Sequence, residues 1–292
     1  MLLQGGLSVL KSKICSTPLY FAVWRAKRML RSEISLDIHL VEHCDLGCKG
    51  CSHYSPIAPK QFLNPDELKK SLEKLKCRGR KVIGKFDSVN LVGGEPLLNR
   101  RIGDIVRIVR DTFGTNPIRI ITNGLILSNR PEQLSADFWQ ACRECDVKIE
   151  ITHYPVNVDL DAIETLCKEN GVDFSLYKDR RGSASFMLMR LLPDRRGKLM
   201  NYYHCPSYKC WELKGDRIYS CPQSAYVEYV NNAFQTRYKH RRGDSLKVSS
   251  LSVLKMKLFR AFPKPFCRYC EFPRQSFEWA PTRRAKEEWL QI

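Results

Sequence analysis

Residues 34–51 read Ile34-Ser-Leu-Asp-Ile-His-Leu40-Val-Glu-His43-Cys44-Asp-Leu-Gly-Cys48-Lys-Gly-Cys51 and determine how the rest of the chain is interpreted. Apolar and polar residues alternate over Ile34–Leu40, which predicts a β-strand. The three cysteines that follow are close enough for their thiolates to converge on one centre. A closed four-iron cluster takes four thiolates, so a loop with three leaves one iron open to an external ligand. A zinc site or plain loop cysteines are the alternatives for an isolated triad.

Strand and helix patterns alternate from the first strand onward. Asn64-Pro-Asp-Glu67 is typical of a helix start, with Asn64 as N-cap and Pro65 in the first turn. The later strands are predicted at 89–92, 118–121, 147–152 and 173–176, and the helices at 64–75, 101–110, 134–143 and 160–170. Repeated β–α units of this length predict parallel strands covered by helices, as an open sheet or a partial barrel. Ligands then belong at the carboxyl ends of the strands.

Two of these strand ends carry small polar motifs. Val92 runs into Gly93-Gly-Glu-Pro96, where paired glycines allow close approach of a ligand and Glu95 can accept hydrogen bonds from a cationic amino group. The next strand ends in Thr122-Asn-Gly124. Parallel strands would bring both motifs to the same pocket as the cysteine triad.

These motifs, in this order at strand ends, resemble the radical S-adenosylmethionine (SAM) superfamily over roughly residues 34–177. The resemblance implies a [4Fe-4S] cluster on Cys44, Cys48 and Cys51 whose open iron binds the methionine part of SAM. It implies that Gly93, Gly94 and Glu95 receive the methionine amino group, and that Thr122 and Asn123 lie near the ribose or carboxylate. Where the family often has an aromatic residue before the third cysteine, this chain has Gly50, so His53 or Tyr54 is expected at the adenine. The implied chemistry is reductive cleavage of SAM to a 5′-deoxyadenosyl radical that abstracts a substrate hydrogen.

A second group of cysteines lies in the C-terminal part. Cys205 to Cys221 predicts a hairpin that turns at Gly215-Asp216, and Cys267-Arg-Tyr-Cys270 can supply two corners of a metal centre. This layout resembles the SPASM/twitch extension, in its single-cluster form, and implies a second [4Fe-4S] cluster on Cys205, Cys221, Cys267 and Cys270. Cys210 is the alternative ligand because the hairpin register puts it opposite Cys221. Zinc is the alternative metal.

Composition and charge set the wider limits. The 292 residues include 43% hydrophobic residues, 13 cysteines and a net charge of +18. These proportions exclude intrinsic disorder, and an odd, clustered cysteine count disfavours a secreted disulfide framework. Neither a signal peptide nor a transmembrane segment is predicted, so we expect a cytoplasmic protein. The charge is +5 over residues 1–33, −1 over 34–177 and +14 over 178–292.

These limits give the predicted organisation. We assign the fold class α/β, as a partial (β/α)6 TIM-like barrel with a small C-terminal cysteine-rich β-hairpin/α extension. The predicted parts are a basic helical segment (1–33), a radical SAM core (34–182) and an auxiliary cluster domain (183–292), joined near Asp179–Ser183. The basic helix is expected to place Leu19, Ala22, Val23, Ala26 and Leu30 on one side and Arg25, Arg28 and Arg31 on the other.

The function predicted from the sequence is a radical SAM enzyme acting on an anionic small molecule, such as a sugar or nucleotide-linked metabolite. A peptide-modifying enzyme of the same class is the alternative, and a non-catalytic zinc or iron–sulfur module that binds nucleic acid is the second. The positive charge predicts an anionic substrate, an acidic electron donor such as flavodoxin or ferredoxin, or peripheral membrane contact. Nucleic acid is disfavoured because no binding motif accompanies the charge. Of the other cysteines, Cys15, Cys77, Cys142, Cys145 and Cys167 are interpreted as plain thiols.

Overall fold

The computed structural model of the chain describes residues 18–30, 34–177 and 185–292. Its strands are β1 (Ser35–Val41), β2 (Ser88–Gly93), β3 (Ile118–Thr122), β4 (Val147–Thr152), β5 (Asp173–Tyr177), β6 (Ser185–Leu188), β7 (Cys210–Lys214), β8 (Arg217–Tyr219), β9 (Ser245–Lys247) and β10 (Gln275–Glu278). Its α-helices are α1 (Pro18–Leu30), α2 (Pro65–Lys76), α3 (Arg80–Ile83), α4 (Ile102–Phe113), α5 (Leu125–Asn129), α6 (Ala136–Glu144), α7 (Leu160–Glu169), α8 (Pro222–Ala225), α9 (Val227–Phe234) and α10 (Val253–Ala261).

The main sheet has a parallel centre of six strands in the order β5-β4-β3-β2-β1-β7, and β8 and β9 continue it antiparallel. This arrangement confirms the predicted α/β class. Five of the six parallel strands come from the predicted β–α units. The sixth is β7, the first arm of the predicted hairpin, which pairs with the edge of β1. A separate antiparallel pair is formed by β6 and β10.

The two faces of the sheet differ in chemistry. Leu36 and Ile38 on β1 are buried in the apolar core shared with the covering helices. Between them Asp37 points to the other face, in register with Asn90 on β2 and Glu212 on β7. The Asn90 amide donates to the Asp37 carboxyl at 2.7 Å, and burial raises the pKa of Asp37 to about 6. The alternation that predicted the strand therefore divides a helix-covered core from a polar interior.

The N-terminal helix packs differently from its predicted orientation. Leu19 and Val23, on the predicted apolar side, are 73% and 47% exposed, while Phe21 is buried with its ring 5.1 Å from that of Tyr203. The Arg25 guanidinium instead lies over the Phe262 ring at 5.5 Å. The face of α1 that contacts the rest of the protein is therefore the one that carries Phe21. Some of the positions named in the sequence analysis lie outside the described residues: Cys15, Arg31, Asp179–Ser183 and the side chains of Arg28 and Leu30.

The C-terminal hairpin is confirmed. Strand β7 ends at Lys214 and β8 begins at Arg217, with Gly215 in the left-handed conformation (φ 56°) that the turn requires. The sheet thus continues across the predicted 182/183 boundary, which stays a prediction. Over the described ranges, no helix combines the length and apolar character that crossing a membrane requires.

Candidate active site

The cysteine triad lies in the loop that leaves β1, at the carboxyl edge of the parallel strands. Cys44, Cys48 and Cys51 all line one cavity of about 440 Å³. Burial raises the pKa of the Cys48 thiol to about 12, and burial likewise raises the pKa of Cys44 and Cys51. These thiols therefore keep their protons at neutral pH until a metal ion displaces them.

The predicted glycine rim reaches the same cavity. Gly93 and Gly94 line it and bring the end of β2 against the start of the triad loop. The Gly94 amide donates to the Val41 carbonyl at 2.7 Å, and a Cβ atom at Gly94 would collide with the His43 carbonyl. The paired glycines are therefore needed for this close approach as well as for access by a ligand.

Thr122 and Asn123 line the cavity as predicted, whereas Glu95 does not. The Glu95 carboxylate is fully buried beneath them and accepts hydrogen bonds from the Thr122 hydroxyl (2.7 Å), the Asn123 amide (3.0 Å) and the Leu97 amide (3.0 Å). Burial raises its pKa to about 7. In this structure Glu95 therefore fixes the β3 end of the rim, and its contact with the SAM amino group stays a prediction.

The Tyr54 side chain does not lie where a contact with the adenine of SAM would require it. Tyr54 is fully buried and belongs to an aromatic cluster on the far side of the triad loop, outside the cavity lining. Its left-handed backbone (φ 61°) turns the ring that way. His53, the other residue named for this contact, does line the cavity, and its Nδ1 lies 2.8 Å from His39 Nε2.

The glycine before the third cysteine also has a structural reason. Gly50 has φ 61°, and an added Cβ would collide with the Leu188 side chain and lie 3.2 Å from the Glu288 carbonyl oxygen. The space that an aromatic residue would need is thus taken by β6 and the C-terminal segment. Gly50 lines the cavity through its backbone.

Three aromatic cavity residues, Phe186, Phe277 and Trp279, were missed by the sequence reasoning because they come from distant, weakly patterned segments, whereas Tyr154 follows the predicted strand β4, whose end is expected at this pocket. Tyr154 stacks on Phe186, with ring centroids 5.5 Å apart, and the two form a wall with Phe277 and Trp279. The Trp279 indole Nε1 donates to the Cys48 sulfur at 3.2 Å. The density of aromatic residues around 272–289 was the available signal for this wall.

Four of the five cysteines of the C-terminal part line one cavity, and the fifth does not. Cys205, Cys221, Cys267 and Cys270 line a common cavity, whereas Cys210 does not. Cys210 sits at the start of β7, in register with Ser35 on β1. The structure therefore groups the four cysteines favoured by spacing, although their ligation stays a prediction.

The surroundings of these four cysteines fit an iron–sulfur cluster. The amide nitrogen of Gln223 and the hydroxyl of Ser224 line the cavity, are buried, and have no hydrogen-bond partner among the described residues. The Arg274 guanidinium donates to the Cys205 sulfur at 3.3 Å. Cluster sulfides and thiolates are acceptors that would satisfy such donors. Within the described ranges no three histidine, cysteine or acidic side chains already stand as a single-ion site.

Charge is sparse inside the main cavity. Lys49 and Asp37 are the charged residues among its lining, with Lys49 Nζ 5.7 Å from the Phe277 ring. The basic stretches of the C-terminal part thus contribute little charge to this cavity. His153 is exposed, while its neighbour Tyr154 faces the cavity.

Comparison with known proteins supports this description. The family model "Radical SAM superfamily" matches residues 38–159. The chain is 30% identical over 105 residues to "GTP 3',8-cyclase" of Aquifex aeolicus (strain VF5), covering 34% of this chain and 30% of that protein. It is 35% identical over 101 residues to "Molybdenum cofactor biosynthesis protein 1" of Bos taurus, covering 34% and 15%. The matches thus span about three tenths or less of these relatives' length.

Two solved structures are also similar. BtrN in complex with AdoMet and 2-DOIA has a TM-score of 0.48 and 12% identity, covering 82% of this chain and 93% of BtrN. Streptococcus suis SuiB bound to the precursor peptide SuiA has a TM-score of 0.37 and 16% identity, covering 55% and 37%. The matched family model covers the triad and the rim that share one cavity, so residues 38–159 form a radical SAM domain, and the members of that superfamily are enzymes that use a [4Fe-4S] cluster and SAM.

Proposed function

We propose that this chain binds a [4Fe-4S] cluster through Cys44, Cys48 and Cys51 and uses SAM for radical chemistry on a small organic substrate. The observation that carries the proposal is the single cavity shared by the triad, the glycine pair and the end of β3. When bound, the cluster and SAM would supply the electron and the 5′-deoxyadenosyl radical that abstracts a hydrogen atom. The non-catalytic alternative leaves this rim without a role.

The protein's own part is to place the reactants and exclude water. Gly93 and Gly94 offer backbone groups next to the triad, and Thr122 and Asn123 offer polar groups held from below by Glu95. The aromatic wall of Phe186, Phe277 and Trp279 covers the opposite side. A dry, aromatic wall of this kind protects a radical from side reactions.

Production of 5′-deoxyadenosine tests the enzyme assignment. Anaerobically reconstituted and reduced protein should convert SAM to 5′-deoxyadenosine, and a variant with Cys44, Cys48 and Cys51 changed to Ala should not. The same variant should retain about four iron atoms in the tail. Iron-loaded, reduced wild-type protein that forms no 5′-deoxyadenosine would remove the proposal.

We infer further that Cys205, Cys221, Cys267 and Cys270 hold a second [4Fe-4S] cluster. The shared cavity and the unpaired donors of Gln223 and Ser224 support this inference. Replacing Cys221 by Ser should lower the bound iron by about four atoms, whereas Cys210→Ser, the matched control, should not. Zinc in the tail of the anaerobically purified protein, or iron loss in Cys210→Ser, would overturn the assignment.

An anionic substrate stays a prediction. Lys49 would bind its negative charge, since Lys49 is the cationic residue among those that line the cavity. The nucleotide acted on by the similar "GTP 3',8-cyclase" is consistent with that class. Stimulation of SAM cleavage by phosphorylated sugars and nucleotides, compared with the neutral sugars and nucleosides, would test it. Stimulation by the neutral compounds alone would exclude an anion requirement.

The partners follow from the reaction and the charge. The chain needs a reductant, and we propose an acidic electron donor such as flavodoxin or ferredoxin for the basic C-terminal part. Unpaired thiols favour a reducing compartment, so the cytoplasm is the proposed location. We also propose peripheral membrane contact through the basic segments. Co-sedimentation of the protein with anionic vesicles would measure this binding.

A further inference from the structure

The Tyr54 hydroxyl lies buried between the triad loop and the C-terminal cysteines. The side chain is fully buried, and its oxygen has no hydrogen-bond partner among the described residues. Buried hydroxyls are almost always paired, because an unpaired one has lost its water without compensation. An acceptor supplied by a bound group would resolve this deficit.

The backbone fixes where this hydroxyl can go. The Tyr54 amide donates to the Cys51 carbonyl at 3.1 Å, and the Trp289 indole donates to the same carbonyl at 3.0 Å. With φ at 61°, the residue turns its ring away from the SAM cavity. The ring therefore enters the aromatic cluster against which Cys270 packs.

The electrostatic surroundings agree with that position. Burial raises the pKa of the Tyr54 hydroxyl, and negative charge on the Cys270 and Cys221 sulfur atoms, which lie near enough to act on it, raises it further. A tyrosine hydroxyl carries its proton at neutral pH without any such shift, so it can donate to sulfur atoms at that site. Gln223 and Ser224, which line the tail cavity, also carry unpaired donors.

We propose that Tyr54 donates a hydrogen bond to a sulfur of the C-terminal cluster and so links the triad loop to that cluster. The inference rests on the second cluster of the proposed function. Tyr54 is a positioning residue here, since it touches the cluster and not the substrate. A hydrogen bond to cluster sulfur stabilises the more negative, reduced form and so raises the reduction potential.

The test is a redox titration of the reconstituted protein followed by electron paramagnetic resonance. Tyr54→Phe keeps the ring and removes the unpaired hydroxyl, so the folded chain and its iron content should be retained. The midpoint potential of the tail cluster should fall by about 59 mV, a tenfold change for one electron, while that of the triad cluster stays unchanged.

A matched control is Tyr238→Phe, because Tyr238 lies in the same aromatic cluster but donates to the Leu192 carbonyl at 2.9 Å. This variant should leave both potentials unchanged. The role of Tyr54 would be overturned, with the second cluster left standing, by either of two results. In the first, the tail cluster has the same potential in Tyr54→Phe as in wild type; in the second, Tyr238→Phe shifts that potential as much as Tyr54→Phe does. A wild-type tail that binds no iron would overturn the second cluster and this inference together.

Discussion

Replacing Gly94 by alanine should displace the triad loop, because the added methyl group meets the backbone. The new Cβ would collide with the His43 carbonyl and lie 2.7 Å from Cys44 N, which must recede by about 0.7 Å to reach an ordinary contact of 3.4 Å. A backbone neighbour cannot rotate away as a side chain can. Overpacking of this kind costs about 1–3 kcal/mol, and the rigid contact places Gly94→Ala at the upper end.

That cost falls on the loop that we propose to bind iron. If about 3 kcal/mol separates the displaced loop from the iron-binding one, retention of iron at the triad weakens about a hundredfold. The assay is iron content and electron paramagnetic resonance after anaerobic reconstitution, with the tail cluster as internal reference. Gly94→Ala should lose the triad signal and 5′-deoxyadenosine formation while keeping the tail signal.

Gly79→Ala provides the matched control for a general loss of stability. Its Cβ would meet nothing within 4 Å, although its backbone (φ 83°, ψ 164°) lies in a region that is almost restricted to glycine and costs a side chain about 1–3 kcal/mol. This variant should therefore unfold more easily yet keep both clusters. A Gly94→Ala protein with full iron at both centres would refute the steric reasoning.

Three further changes test other parts of the structure. Because burial raises the pKa of Asp37 from 3.8 to about 6, the contribution of Asp37 to the free energy of unfolding should fall by at most about 3 kcal/mol as the pH rises between these values. In urea titrations Asp37→Asn should therefore show a smaller fall than wild type, with the fall due to the buried Glu95 retained, and a fall equal to that of wild type would contradict it. Trp279→Phe removes the donor to Cys48 and should lower the potential of the triad cluster, with the tail cluster unmoved; equal shifts at both would disprove a local effect. Asn64→Ala removes the N-cap of α2, whose side chain accepts from the Asp66 amide, and should cost about 1 kcal/mol in denaturant titrations without iron loss; an unchanged midpoint would mean that the cap contributes nothing.

Signals within short stretches of sequence predicted the central fold and the two cysteine groups. The β–α pattern gave the strands and helices of residues 35–177, and strand polarity placed Gly93 and Thr122 beside Cys44. The hairpin turn at Gly215 was visible from its own residues. These features depend on backbone periodicity and spacing, which the sequence contains directly.

Side-chain direction and long-range contacts were less accessible. Tyr54 points away from the triad cavity and has a left-handed backbone that none of its neighbours in the sequence predicts. Helix α1 turns Phe21 inward and Leu19 outward because Phe21 packs against the ring of Tyr203 from a distant segment. Trp279 reaches Cys48 across 231 positions in the chain. Such contacts depend on where distant segments return, which short-range patterns do not encode.

The C-terminal segment that follows the tail cysteines connects the tail with the triad loop. Beyond the tail cysteines the chain crosses the triad loop, where the Lys49 amide donates to the Ala280 carbonyl and the Thr282 amide donates to the Gly47 carbonyl, both at 2.9 Å. These bonds form an antiparallel bridge between residues 280–282 and the triad loop, in addition to the Trp279 contact with the Cys48 sulfur. A tail fixed by its own cluster would hold this segment in place and stiffen the triad loop. The proposed auxiliary cluster would therefore support the proposed SAM site mechanically, whether or not it exchanges electrons with the substrate.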